Sequence, residues 1–152
     1  PLWFWATTLA HAAAQNAASA VDTARAGVAA HPGSAVLRNN LAVLLEAAGD
    51  LAAAEAELRA GLAEDPALPQ ISKNLADLFY RAGRYDEALE TYERAAKLDP
   101  ELGDDLYFKL GNLAFKRGDR TKARANWERA TVLNPGHQLA RANLDMLGAG
   151  AA

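Results

Sequence analysis

Large apolar, small apolar and polar positions recur along this chain with a period of about 34 residues. Prolines fall at Pro32, Pro66, Pro100 and Pro135, with gaps of 34, 34 and 35 residues. Counting back from the last three prolines aligns everything between them. Seventeen residues before stand Gly49, Gly83 and Gly118; twelve before, Ala54, Ala88 and Ala123; five before, Gly61, Ala95 and Ala130. A large residue stands eight before (Leu58, Tyr92, Trp127). Leu41, Leu75 and Leu110 stand twenty-five before, each followed by a small residue, Ala42, Ala76 or Gly111.

Each column has a physical reading. Glycine ends one helix because a left-handed residue costs least without a Cβ. Asp50, Arg84 and Asp119 follow it and open the next helix, where Asp is a good N-terminal residue. Small residues let two helices approach within about 8–10 Å. The large residue fills the gap between one pair and the next, and proline starts the connection because it cannot continue a helix interior. Such a pair cannot bury its apolar face alone and needs neighbours. The predicted map is nine helices and no strand: pairs at roughly 1–31, 35–65, 69–99 and 104–134, then a cap near 138–147.

The ends are less regular. Ala20, Gly27 and Pro32 keep residues 1–34 in register, but Gln15 and Asn16 stand where the turn glycine belongs. A degenerate first pair, Leu2–Ala14 and Ala17–Ala30, is expected. Asn143 and Leu144 fall where Lys109 and Leu110 fall one repeat earlier, so 138–147 reads as a capping helix and 148–152 as loose tail.

The stretches NNLAVLLEAAGDLAAAEAELRAGLAEDP, KNLADLFYRAGRYDEALETYERAAKLDP and FKLGNLAFKRGDRTKARANWERATVLNP resemble the tetratricopeptide repeat. That resemblance implies an all-α fold, a right-handed α-α superhelix of about four helix pairs plus a C-terminal capping helix. The whole chain, 1–152, then forms one domain with repeats at about 1–34, 35–68, 69–102 and 104–137. It also implies a protein-interaction scaffold rather than an enzyme, one that takes an extended peptide or a partner helix on the inner surface lined by the first helix of each pair.

Composition narrows the chemistry. The hydrophobic fraction of 51% coexists with a mean hydropathy of −0.15 because so much of it is alanine, the best helix former. With no cysteine there is no disulfide, no thiolate nucleophile and no Cys-based zinc site. Ser19, Ser34 and Ser72 lie outside any glycine-rich elbow. His11, His31 and His137 lack metal-pair spacing, and His31 and His137 read as exposed loop residues. No cofactor and no metal are expected. A net charge of −3 and pI near 5.6 give no pull toward nucleic acid, and none is expected as a partner. Charge is nevertheless polarised. Residues 35–68 are acidic, while in 104–137 Lys109, Lys116, Arg117, Arg120, Lys122, Arg124 and Arg129 outnumber the acids.

Within the resembled family the residue before the repeated Leu points inward; here it is Asn40, Asn74, Lys109 and Asn143. An amide offers a donor and an acceptor to a peptide backbone whatever its sequence. The column resembles the asparagine ladder of the superhelical domain in O-linked N-acetylglucosamine transferase. The alternative is that these amides bond within the scaffold. The predicted groove also contains Asn39, Lys73, Asp77, Asn112, aromatic Tyr80, Phe108 and Phe115, and basic Arg81 and Lys116. Tyr80 and Phe115 have a second reading, packing between helices. A co-chaperone-like carboxylate clamp is not expected, because Asp77 stands where a clamp starting at Lys73 and Asn74 wants Asn.

The chain begins at Pro1 rather than Met, as expected of a fragment or processed product. Residues 1–14 carry no formal charge but are too short to span a bilayer. Trp3, Phe4 and Trp5 cannot all face one helix side, so at least one is expected to be exposed unless something covers it; the candidates are an upstream part of the protein, a second copy, or a membrane surface. Two other readings therefore stand beside the scaffold: a homo-oligomerising module, and a targeting or regulatory arm of a larger protein. Composition suits cytoplasm and periplasm alike, with the cytoplasm the working expectation.

Overall fold

The computed structural model describes residues 2–150, with side chains from Ala13 onward. Among the described residues there are eight helices and no strand. They are α1 (Leu2–Ala30), α2 (Ala35–Ala47), α3 (Leu51–Glu64), α4 (Pro69–Arg81), α5 (Tyr85–Leu98), α6 (Asp104–Lys116), α7 (Arg120–Leu133) and α8 (Gln138–Ala149). The chain divides into two compact units, Pro1–Asn74 and Leu75–Ala152, with α4 running through the boundary.

The repeat columns account for the elements. Gly49, Gly83 and Gly118 have φ of 84°, 74° and 84°. At each, the next residue's N–H reaches back five positions, Asp50 to Leu45 O, Arg84 to Phe79 O and Asp119 to Ala114 O, at 2.9, 2.9 and 3.0 Å. This bond closes the helix end through a left-handed glycine. Asp50 and Asp119 then cap the following helix, accepting from Ala53 N at 3.1 Å and Lys122 N at 2.8 Å. Before the prolines, Asp65, Asp99 and Asn134 each accept from a backbone N–H two residues on. Those Asx turns pin the connection between pairs. The thirty-fifth residue of the last interval lies in the 101–103 connection. There α6 starts four residues after Pro100, whereas α2, α4 and α8 start three after their prolines.

In the first unit α1 packs on α2 and α2 on α3. Leu41, Ala42, Leu45, Ala54, Leu58 and Ile71 are buried there. In the second, α6 packs on α5 and α7, and α7 on α8. Ala123, Trp127, Ala130, Ala140 and Leu147 form a core flanked by Tyr107, Phe108 and Leu144. The crossing columns Ala54, Ala88 and Ala123 are all fully buried, as are Ala95 and Ala130.

Three local expectations are corrected. The predicted turn at Gln15–Asn16 does not form, and α1 is one helix of 29 residues, so there are eight helices rather than nine. Gln15, which holds the glycine column, does not take φ > 0 cheaply, and the alanines on both sides favour continuing the helix. The last helix extends to Ala149, past the 138–147 expected, so the tail is shorter. His137 is not an exposed loop residue. It caps α8, accepting from Ala140 N at 3.2 Å, and its ring lies 4.7 Å from that of Phe108. The side chains of Trp3, Phe4, Trp5 and His11 lie outside the described residues.

Candidate functional site

The candidate residues lie on α2 and the start of α4 in the first unit, and on α4, α6 and α8 in the second. In the first unit, Asn74 Nδ2 donates to Asn39 Oδ1 at 2.8 Å, both half-buried. Lys73 beside them is also half-buried. Asn40 is exposed and borders an open groove between α1 and α2.

The second unit holds the denser cluster. Asp105, Lys109, Asn112 and Lys116 follow helical spacing along one face of α6. Lys109 Nζ donates to Asp77 Oδ1 of α4 at 2.7 Å and to Asp105 Oδ2 at 2.8 Å. Burial works against its charge, but the bonds to Asp105 and Asp77 outweigh that and hold Lys109 above the usual lysine range. Tyr92 of α5 donates its hydroxyl to the same Asp77 oxygen. Burial first, then the Asp77 carboxylate, push the Tyr92 phenol far above its ordinary value. Asp77 is thus the hub of a three-helix polar link.

A second link sits one turn further along. Asn112 Nδ2 donates to Tyr80 OH at 3.4 Å, and Asn112 Oδ1 accepts from Trp127 Nε1 at 3.1 Å and from Asn143 Nδ2 at 3.3 Å. Tyr80 makes edge contacts with Tyr85 and Tyr92, with centroids 5.8 and 6.4 Å apart. Lys116 Nζ lies 4.0 Å above the Tyr85 ring. Arg81 at the end of α4 is exposed.

Phe108 does not join this row. It is half-buried against His137 and the α6–α7–α8 core. Phe115 is 39% exposed, with its ring 5.7 Å from that of Trp127.

Sequence reasoning missed Tyr85 and the polar tips of Tyr92 and Trp127. A signal for the tips exists. Tyr92–Asp77 and Trp127–Asn112 are both fifteen residues apart, the same pair in successive repeats. The earlier repeat has Val43 and Leu58 at those positions, apolar opposite apolar. Among the described residues no group of three or more His, Asp or Glu is placed to hold a metal ion, and no helix is long and apolar enough to cross a membrane.

Tetratricopeptide repeat profiles match residues 8–69 and 104–137, and a TPR repeat profile matches 76–118. No curated protein sequence matches the chain. Three solved structures are similar in fold. MamA is 19% identical with a TM-score of 0.76, over 86% of this chain and 76% of that one. YrrB, described as a TPR protein with an unusual peptide-binding site, is 22% identical with a TM-score of 0.80, over 88% and 68%. The first TPR of Spaghetti (RPAP3), bound to the HSP90 peptide SRMEEVD, is 19% identical with a TM-score of 0.70, over 78% and 93%. At such identities the likeness speaks for the fold, and the profiles speak for the family. With its turn glycines, buried small-residue columns and three helix pairs, α2–α3, α4–α5 and α6–α7, in register, the chain belongs to the tetratricopeptide repeat family.

Proposed function

We propose that this chain is a non-catalytic protein-interaction scaffold, and that its second unit takes an extended peptide or a partner helix along the α4–α6–α8 face. The observation that carries the reading is the half-buried row Tyr80–Asn112–Asn143, which joins three successive first-of-pair helices through hydrogen bonds at the surface. Prepositioned amides lose little entropy when they bind, and each retains groups for a ligand backbone. Asn143, for example, spends one N–H on Asn112 and keeps its carbonyl oxygen.

Charge does not drive this face. Lys109 is neutralised by Asp77 and Asp105, so a ligand carboxylate gains little there. Recognition by amides and by the Tyr80–Tyr85 rings suits an extended, uncharged backbone better than an acidic tail. Peptide binding by YrrB, and by the RPAP3 domain with its HSP90 peptide, supports the general mode without supplying the residues.

The test is a peptide array screened with the purified chain, followed by fluorescence anisotropy on a binding sequence. Asn143→Ala combined with Lys116→Ala should weaken binding about tenfold, since each lost hydrogen bond is worth about 0.5–1.5 kcal/mol. Unchanged affinity in a double variant with an unchanged melting curve would move the site off this face.

A further inference from the structure

The other helix pairs show what the groove between α1 and α2 is shaped to hold. Each first helix, α2, α4 or α6, has 13 residues, and each second helix, α3, α5 or α7, has 14. Within the units, α2 lies on α3 and α6 on α7, and the columns they cover, Ala54 with Gly61 and Ala123 with Ala130, are buried. The register from Pro32 puts Ala20 and Gly27 of α1 in these same columns. There they are only half-buried and floor an open groove of about 590 Å³, walled by Leu37 and Leu44 of α2. A first helix is the element that covers these columns elsewhere.

Among the described residues that line the groove none is charged. The stretch that matches it sits at the front of α1. Residues 2–14 form a helix of the right length and contain no Asp, Glu, Lys or Arg. Because α1 runs unbroken through Gln15 and Asn16, this stretch carries the helix about 20 Å past the groove's first lining residue, Asn16, at about 1.5 Å per residue. It cannot fold back without a turn, and Gln15 occupies the column in which Gly49, Gly83 and Gly118 supply positive φ.

We propose that residues 2–14 of one copy fill the α1–α2 groove of a second copy, and reciprocally, giving a swapped dimer. Exchange of an identical element across a two-fold axis needs no surface that the repeat has not already built. This inference uses the first unit alone and does not depend on peptide binding by the second.

Light scattering coupled to gel filtration on the full chain reads the mass. A dimer in the micromolar range is expected. Gly27→Trp, which blocks the groove but leaves the arm, should weaken dimerisation at least tenfold; Trp3→Asp with Phe4→Asp, which spoils the arm but leaves the groove, should do the same. Mixed together, the two variants should pair, because one intact arm and one intact groove remain. Gln15→Gly, which permits the turn, should shift the chain toward a monomer with its own arm docked. A wild-type monomer at high micromolar concentration overturns the proposal, whether its groove is then closed by its own arm or left to another protein. So does a dimer that persists in both the groove and the arm variants, or a failure of the two monomeric variants to pair on mixing. If Gly27→Trp does not fold, Ala24→Trp replaces it as the groove variant, with the same expected and overturning results.

Discussion

The indole of Trp127 lies against the Cα of Gly111, and a methyl group on that glycine would overlap Cδ1 and Nε1 of the ring. The two positions belong to columns that vary together. Ala42 stands with Leu58, Ala76 with Tyr92, and Gly111 with Trp127, so the largest ring meets the smallest residue. Trp127 is 1% exposed and has no room to move outward. Gly111→Ala should therefore destabilise the chain by about 1–3 kcal/mol through overpacking, despite the better helix propensity of alanine. In a Trp127→Leu background the same substitution should cost nothing or stabilise, because Ala with Leu is the pairing of residues 42 and 58. Denaturant melts of the four proteins in this cycle measure the coupling, and additive effects would mean that the two side chains do not compete for one space.

How much of this was legible in the sequence depends on how local the cause is. The volume columns were readable because a helix crossing asks for one small residue, and the demand recurs at Ala54, Ala88 and Ala123. The missing turn at Gln15 was half-legible: the absent glycine was visible, but its consequence depended on competition between a strained turn and alanine-rich helix. The polar links were harder. Asp77–Lys109 and Tyr80–Asn112 are 32 residues apart, and Asn112–Asn143 is 31. Each is one repeat less about one helical turn, so these partners stand in different columns, where aligning like with like does not bring them together. Phe108 looked like a groove aromatic for the same reason. Its partner, His137, lies beyond the next proline, and only the packing of α6 on the α7–α8 core brings the two rings together.

The Asp77 hub predicts an alkaline weakness. Tyr92 and Lys109 both have folded pKa values above their ordinary 10.0 and 10.5, so the folded chain holds both protons more tightly than the unfolded chain. Their contribution is complete below those ordinary values. It is lost as pH rises past them toward the folded values, because the unfolded state then gains by releasing protons first. The melting temperature of the wild type should fall steeply above about pH 10. Tyr92→Phe should be less stable near neutrality by about 1.5–3 kcal/mol, the range for a hydrogen bond to a charged group, and its alkaline slope should be shallower. Parallel curves for the two proteins would separate the Tyr92 proton from folding.

An acid-side counterpart lies at the start of α6. Asn134 Nδ2 donates to Asp104 Oδ2 at 2.8 Å, and this bond is the main reason that the Asp104 carboxyl sits below its ordinary 3.8. A depressed carboxyl stabilises the fold above its unfolded value and ceases to do so as pH falls through its folded value. Asn134→Ala should lose stability at neutral pH, and the gap to wild type should narrow below about pH 4. It should not close fully, because Asn134 Oδ1 also accepts from Gly136 N at 3.0 Å, a bond that does not titrate. Melting curves at acid and neutral pH test this. A gap that is constant with pH would assign the whole effect to the turn.

Ser72 is the opposite case, a polar group whose removal should help. Its column, twenty-eight before each proline, is occupied by Arg38 and Tyr107 in the neighbouring repeats. Arg38 Nε donates to Pro32 O at 3.0 Å, and Tyr107 OH to Pro100 O at 2.8 Å. Both tie the start of a pair to the carbonyl of the proline before it. A serine is too short for that reach, and Ser72 is fully buried with its hydroxyl unpaired. Burying a hydroxyl without a partner costs about 1–3 kcal/mol in proteins. Ser72→Ala removes that cost and adds a better helix former. The substitution should raise stability by about 1 kcal/mol or more, read as a later denaturant midpoint with an unchanged slope. A lower midpoint would show that the hydroxyl holds a bond worth keeping, either to a buried water or to the backbone carbonyl one helical turn back.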